Sequence, residues 1–373
     1  MLEGNRVRRS ALWAALTVVT LTTGAWAQAP ASAPAEAPAR TQSAPEAGLP
    51  TDEEFQSAMQ RSYSANKGVT AGKNADYIPV LARVDPKLFG IAILTVDGRA
   101  FSIGDTGHAF SIQSISKPFM AAKLMSELGI QRVEDKLGVN ATGLPFNSIE
   151  AIERNKQQKE PPTGNPLVNA GAIATVGNLK AANADARWDS VLGTLSAFAG
   201  RELSVDQEIY KSESKTNTRN RSIADLLKAY DVIPGNPAEA LDVYTRQCSV
   251  AVTVKDLAAM GATLAAGGTN PLTGKAVVSP DVAAHTLAVM MTAGLYEDSG
   301  TWAFDVGVPA KSGVGGGIVA VVPGKYAVAA FAPPLDEAGN SVRAQRSIES
   351  IVKDLGGSVF HVARRPAARP SPR

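Results

Sequence analysis

Residues 110–125 read FSIQSISKPFMAAKLM, and the pattern changes midway. The first residues alternate apolar with polar, as a strand does. From Ser114 onward the apolar residues fall at helical spacing, and Pro118 is tolerated in a first helical turn. The spacing predicts a helix that opens near Ser114, with Lys117 one turn further on the same face. Two readings fit: an N-capping serine beside a lysine that extends to water, or a nucleophile beside its base. The spacing alone does not choose, because Ser-x-x-Lys recurs at Ser64/Lys67, Ser212/Lys215 and Ser350/Lys353. Ser64 and Ser212 lie in polar stretches and Ser350 inside a terminal helical pattern. Only Ser114 has a hairpin signal before it and a good apolar helix after it.

That hairpin is FGIAILTVDGRAFSIGD (89–105), two β-rich runs about Asp97-Gly98. Downstream come loops rich in Gly, Pro and Asn (GLPFN, PPTGNP), then alanine-rich helical stretches. TVKDLAAMGATLAAGG (253–268) and SPDVAAHTLAVMMTAG (279–294) carry helical periodicity and a glycine stop. GGIVAVVPGKYAVAAFAPP (316–334) reads as two strands about Pro323-Gly324, and a helix begins near Ser341. Strands early, helices between and strands late predict an α+β fold, one antiparallel sheet built from the N- and C-terminal parts with a helical subdomain.

The ends read differently. Arg6, Arg8 and Arg9 precede the apolar run ALWAALTVVTLTTGAWA, which closes on Ala25-Trp26-Ala27. That is the plan of a secretory leader over residues 1–27, with a weak twin-arginine hint; the alternative is a retained anchor, marginal for spanning ~30 Å of hydrocarbon. Residues 28–50 are a Pro/Ala-rich linker, 51–360 the globular catalytic domain, and 361–373 a basic tail expected to be disordered. The leader implies an exported protein, periplasmic or secreted.

The 373 residues carry a net charge of +2, which excludes a strongly basic nucleic-acid binder. The single Cys248 forms no internal disulfide and reads as packing. Three histidines and one cysteine offer no metal-ligand spacing and no Ser-His-Asp triad. GTNPLTGKA misses the phosphate-loop spacing and SGVGGGI the dinucleotide one, so no cofactor is called for. Lysine is then the base available to a serine, provided burial or nearby positive charge lowers its pKa. Lys311-Ser312-Gly313 is the only Lys-[Ser/Thr]-Gly in the chain and precedes a strand. Serine acyl-transfer enzymes of the penicillin-recognising type pair these two motifs in this order.

Longer segments carry a family match. ADYIPVLA, VDGRAFSIGDT, QSISKPF, GLPFNS, NPLVNAGAI, SESKTNTRN, YTRQCSV, GLYEDSG, PAKSGVGGGIVAVVPG and PPLDEAGNSV occur in order between residues 75 and 342. In these the chain resembles the serine-dependent glutaminases, which share the β-lactamase-like fold. The resemblance implies hydrolysis of L-glutamine to L-glutamate and ammonia. It makes Ser114 the nucleophile, Lys117 its base, Tyr244 the proton carrier for departing ammonia, and Val314 a backbone donor to the oxyanion. It puts Tyr77, Asn169, Glu213, Asn220 and Tyr296 around the substrate, and implies self-association as a dimer or tetramer. Glu213 suits the α-ammonium of glutamine; amide and phenol donors suit its α-carboxylate. Two rivals stand beside this. A β-lactamase or penicillin-binding acyl-transferase would need a middle Ser/Tyr-x-Asn element, which is not convincingly placed. A non-catalytic amino-acid sensor would have no need for the intact Ser114, Lys117 and Tyr244.

Overall fold

The computed structural model describes residues 48–361. The leader, nearly all of the linker and the tail beyond His361 lie outside the described residues. Both predicted hairpins are present. Strand β1 (Gly90–Thr95) turns at Asp97-Gly98 into β2 (Ala100–Gly104). After β3 (Phe110–Ser111), β4 (Ser204–Val205), β5 (Val250–Val252) and β6 (Ala310–Gly313), strand β7 (Gly317–Val322) turns at Pro323-Gly324 into β8 (Tyr326–Phe331). One antiparallel sheet has the order β2-β1-β8-β7-β6; a small one has the order β3-β5-β4. The pairing of β1 with β8, Gly90 opposite Phe331, joins the two ends of the domain, as the α+β reading requires.

Every residue of β1, β7 and β8 is buried, so no polar alternation marks these strands. Helices cover both faces, and the period of two survives only in which helix each side chain meets. Ile91, Ile93, Ile318, Ala320, Val328 and Ala330 point to one core, with Phe55 and Met59 of the helix Asp52–Asn66 and Ile348 and Ile351 of the helix Val342–Asp354. Ala92, Leu94, Val319, Val321, Ala327 and Ala329 point to the other, with the helix Val254–Ala265. That helix lies close because Gly261 faces the sheet. A Cβ there would sit 2.6 Å from Val319 Cγ2 and 2.7 Å from Ala327 Cβ.

Local signals set the helix starts. Thr51 and Glu54 form a capping box for the first helix. Thr253 and Asp256 do the same for the central one, and Ser279 and Ser341 cap theirs. The opening near Ser114 differs from the expectation. Gln113–Ser116 is a 3-10 turn, and the α-helix runs Lys117–Leu128. Three residues per turn place side chains i and i+3 directly above one another, so 114 and 117 align more closely than in an α-helix.

Candidate active site

Burial separates the four Ser-x-x-Lys pairs. Lys67, Lys215 and Lys353 are exposed. Ser114 is 6% exposed and Lys117 1%. A buried amine needs a partner, and Lys117 Nζ donates to Asn169 Oδ1 at 2.7 Å. Among the described residues that is its one side-chain hydrogen bond. The rings of Tyr244 and Phe146 stand 5.9 and 6.0 Å from it. Burial pushes the Lys117 ammonium down to about 8, with Cys248 nearby opposing. Roughly a tenth of it is then neutral at pH 7.

Asn169 reaches the lysine through local chemistry. In NPLVNAGAI, Asn165 Oδ1 accepts from the backbone N–H of Leu167 and Val168 and turns the chain. The helix Asn169–Asn178 then folds back over that loop, and a Cβ on Gly171 would meet Asn165 O at 1.8 Å. Asn169 Oδ1 also accepts from the Tyr244 hydroxyl at 3.3 Å, so its Nδ2 must donate, and does so to Asn220 Oδ1 at 2.8 Å. Tyr244 is 4% exposed on the helix Pro237–Cys248. Burial holds its phenol well above the ordinary value, so it keeps its proton.

Glu213 and Asn220 come from successive helices, Gln207–Thr216 and Thr218–Ala229. Glu213 Oε1 accepts from Gln113 Nε2, and that nitrogen also reaches Ser111 Oγ at 3.1 Å. Burial pushes the Glu213 carboxyl up to about 7, the Gln113 hydrogen bond opposing. Tyr296 is 9% exposed, its hydroxyl 3.4 Å from Ser312 O. Burial raises its phenol, while hydrogen bonding with Ser114 opposes. Tyr77 differs from the rest of the set: 56% of it is open to solvent. Its phenol is pushed up by desolvation first, then by Tyr296 and Glu213.

The second motif meets the first through glycines. Lys311 and Ser312 lie on β6, the edge strand, and a Cβ on Gly313 would stand 3.0 Å from both Ile112 O and Ile115 Cγ1. A Cβ on Gly315 would meet Ser111 O at 2.6 Å. Only a bare backbone lets the turn after β6 rest on the segment carrying Ser114. Val314 sits in that turn, closed by Gly316 N–H to Gly313 O at 3.0 Å. Among the described residues, neither the Val314 nor the Ser114 backbone N–H has a protein acceptor. Gln113 and Tyr296, at φ 50° and 54°, are two of four non-glycine residues with positive φ among those described, and both adjoin Ser114. Backbone strain of this kind collects at functional sites.

A cavity of about 380 Å³ behind the Lys117–Leu128 helix is lined by Pro118, Met125 and Val289, and a larger one of about 630 Å³ by Ile130, Val278 and Val282; neither includes Ser114. Convergence of side chains, and not cavity size, therefore marks the candidate site. Sequence reading missed three neighbours of the site: Gln113, Phe146 and the side chain of Lys311. Cys248, which the sequence reads as packing, is buried and also borders Lys117 and Tyr244.

The Glutaminase family model matches residues 72–360. The chain belongs to the glutaminase family. It is 53% identical over 314 residues to a glutaminase of Colwellia psychrerythraea, covering 84% of this chain and 100% of that protein. It is 49% identical to a glutaminase of Brucella canis, covering 83% and 96%. Among solved structures, probable glutaminase ybaS superposes with a TM-score of 0.81 at 47% identity, over 83% of this chain and 99% of that one. Mglu, a structure in its glutamate form, superposes at 0.77 and 38%, over 82% and 69%. This glutaminase-family chain thus has the β-lactamase-like α+β fold that its motifs imply.

Proposed function

We propose that this chain hydrolyses L-glutamine to L-glutamate and ammonia through an acyl-enzyme on Ser114. The observation that carries the mechanism is the burial of Ser114 and Lys117 together, against the glycine turn that follows Lys311. Neutral Lys117 accepts the Ser114 proton, and Oγ attacks the side-chain amide carbon. The oxyanion forms between the backbone N–H groups of Ser114 and Val314, two buried donors free of protein acceptors. The C–N bond breaks as the Tyr244 phenol protonates the nitrogen, and the Lys117 ammonium returns a proton to Tyr244. Water then attacks the glutamyl ester and gives a proton to Lys117, which passes it to Ser114 Oγ as the ester C–O bond breaks and Ser114 leaves as the alcohol. Glu213 takes the α-ammonium. Asn220, Tyr296 and Tyr77 take the α-carboxylate, and Asn169 orients Lys117 as well.

Ser114→Ala is the test. It should abolish ammonia release with the melting temperature kept; wild-type turnover in that variant would end the mechanism. Nitrocefin hydrolysis by the wild type would favour the acyl-transferase reading instead. The leader supports an exported enzyme, checked by fractionating cells that express the full chain. Assembly as a dimer or tetramer is carried over from the family resemblance, and sedimentation of the purified domain checks it.

A further inference from the structure

Gln247 is wholly buried, yet only half of its amide is used. Its Nε2 donates to Ser116 Oγ at 2.8 Å. Ser116 Oγ in turn donates to the Gln113 carbonyl at 2.6 Å. That second bond fixes the amide orientation: a hydroxyl whose proton is committed must accept, so the nitrogen faces it. Gln247 Oε1 is left buried without a hydrogen-bond partner among the described residues. A buried polar atom without a partner costs stability, and a leucine would fill the same space without that cost. Stability therefore does not explain a glutamine here.

Position does. Gln247 lies one turn after Tyr244 on the same helix. Ser116 and Gln113 bracket Ser114 within the 3-10 turn. Gln113 is held at a φ of 50°, and its side chain binds Glu213. One chain of hydrogen bonds, buried up to Gln113, thus runs from the Tyr244 helix, through the turn carrying Ser114, to the Glu213 carboxylate. We infer that Gln247 and Ser116 are positioning residues for the hydrolysis: they hold the strained Ser114 turn in register with Tyr244 and Glu213. Neither touches the reacting atoms. The turn has no side-chain cap of its own, so it depends on this strut.

The inference rests on the Ser114–Lys117 reading, and the experiment separates the two. Steady-state kinetics and melting are measured for Ser116→Ala, Gln247→Leu, the double variant and Ser114→Ala. Each single variant should lower kcat by about 10- to 100-fold, the effect of a small misplacement of reacting groups. KM should move by less than about threefold, because the lost geometry matters in the transition state. The double variant should be no slower than the worse single one, because both break the same chain. A merely structural role would shift melting and leave kcat per folded enzyme intact. A folded Ser116→Ala within about twofold of the wild-type kcat, or effects that multiply in the double variant, overturns the inference. If Gln247→Leu does not fold, Ser116→Ala decides alone. Turnover by Ser114→Ala refutes the mechanism itself; an inactive Ser114→Ala beside a fully active Ser116→Ala refutes only the strut.

Discussion

Lys117 and Lys311 are both fully buried lysines a few residues from Ser114 or Val314, and they are held in opposite ways. Lys311 Nζ donates to Gly294 O and Ser312 O, each at 2.7 Å, and lies 4.1 Å from the centre of the Tyr296 ring. Two backbone carbonyls take its amine protons, and the ring faces the third when the amine is charged. Lys117 has one strong acceptor, Asn169 Oδ1, and two more distant rings. Burial pushes Lys117 down to about 8 and Lys311 well below the ordinary lysine value, where the Lys117 charge adds to the push, so partnership rather than pKa separates the two. An amine with every proton committed is a strut; an amine with one commitment keeps a lone pair for a neighbouring hydroxyl. Gly294 shows how tightly the strut is built, since a Cβ there would overlap Ala310 O at 1.7 Å. Motif spelling alone would make the two lysines equal partners.

The contrast is broken or kept by removing each amine. Lys117→Met should lower kcat by about 10³- to 10⁴-fold, as the loss of an essential base does, and leave melting unchanged or raised. Lys311→Met should cost about 2–4 kcal/mol of stability, because two carbonyls lose a donor, and denaturant titration reads it. Similar melting losses in both variants would erase the distinction.

Next in size is the substrate end. Glu213→Gln should raise KM for glutamine by about 10- to 100-fold with a smaller effect on kcat, since a carboxylate bond to the ammonium is lost. The pH profile then sharpens the assignment of Lys117. In the proposed mechanism both Glu213 and Lys117 must lose a proton to work, so kcat/KM should rise with pH. The slope should approach two below pH 7, fall to one between 7 and 8, and flatten above 8. In Glu213→Gln only the limb near 8 should remain. A limb near 8 that persists in Lys117→Met would take the base role from that residue.

The smallest effect lies far from both lysines. Gly261→Ala would push the central helix off Val319 and Ala327, an overpacking cost of about 1–3 kcal/mol with kcat unchanged. A large fall in kcat there would mean that the sheet face, and not the β6 turn alone, sets the geometry.

Much of this was legible in the linear chain, for local reasons. Asp97-Gly98 and Pro323-Gly324 mark hairpins because the turn chemistry is carried by the turn residues. Thr253, Ser279 and Ser341 announce helices because a cap bonds within its own first turn. The 3-10 start at Gln113 was not legible. It is held by Gln247, 131 residues from Ser116, and by Glu213, 100 residues from Gln113, and no local rule contains those partners.

Composition, periodicity and motif order by themselves determined an α+β domain with two hairpins and the order of its two lysine motifs, since each of these depends on neighbours in sequence. Only the tertiary structure decided which of four Ser-x-x-Lys pairs is sealed from water, which lysine has a single strong acceptor, and which polar side chains brace the turn. Burial and hydrogen-bond partnership are set by residues distant in the chain, and burial is what lowers the pKa of Lys117 and separates it from the exposed lysines of the other three pairs.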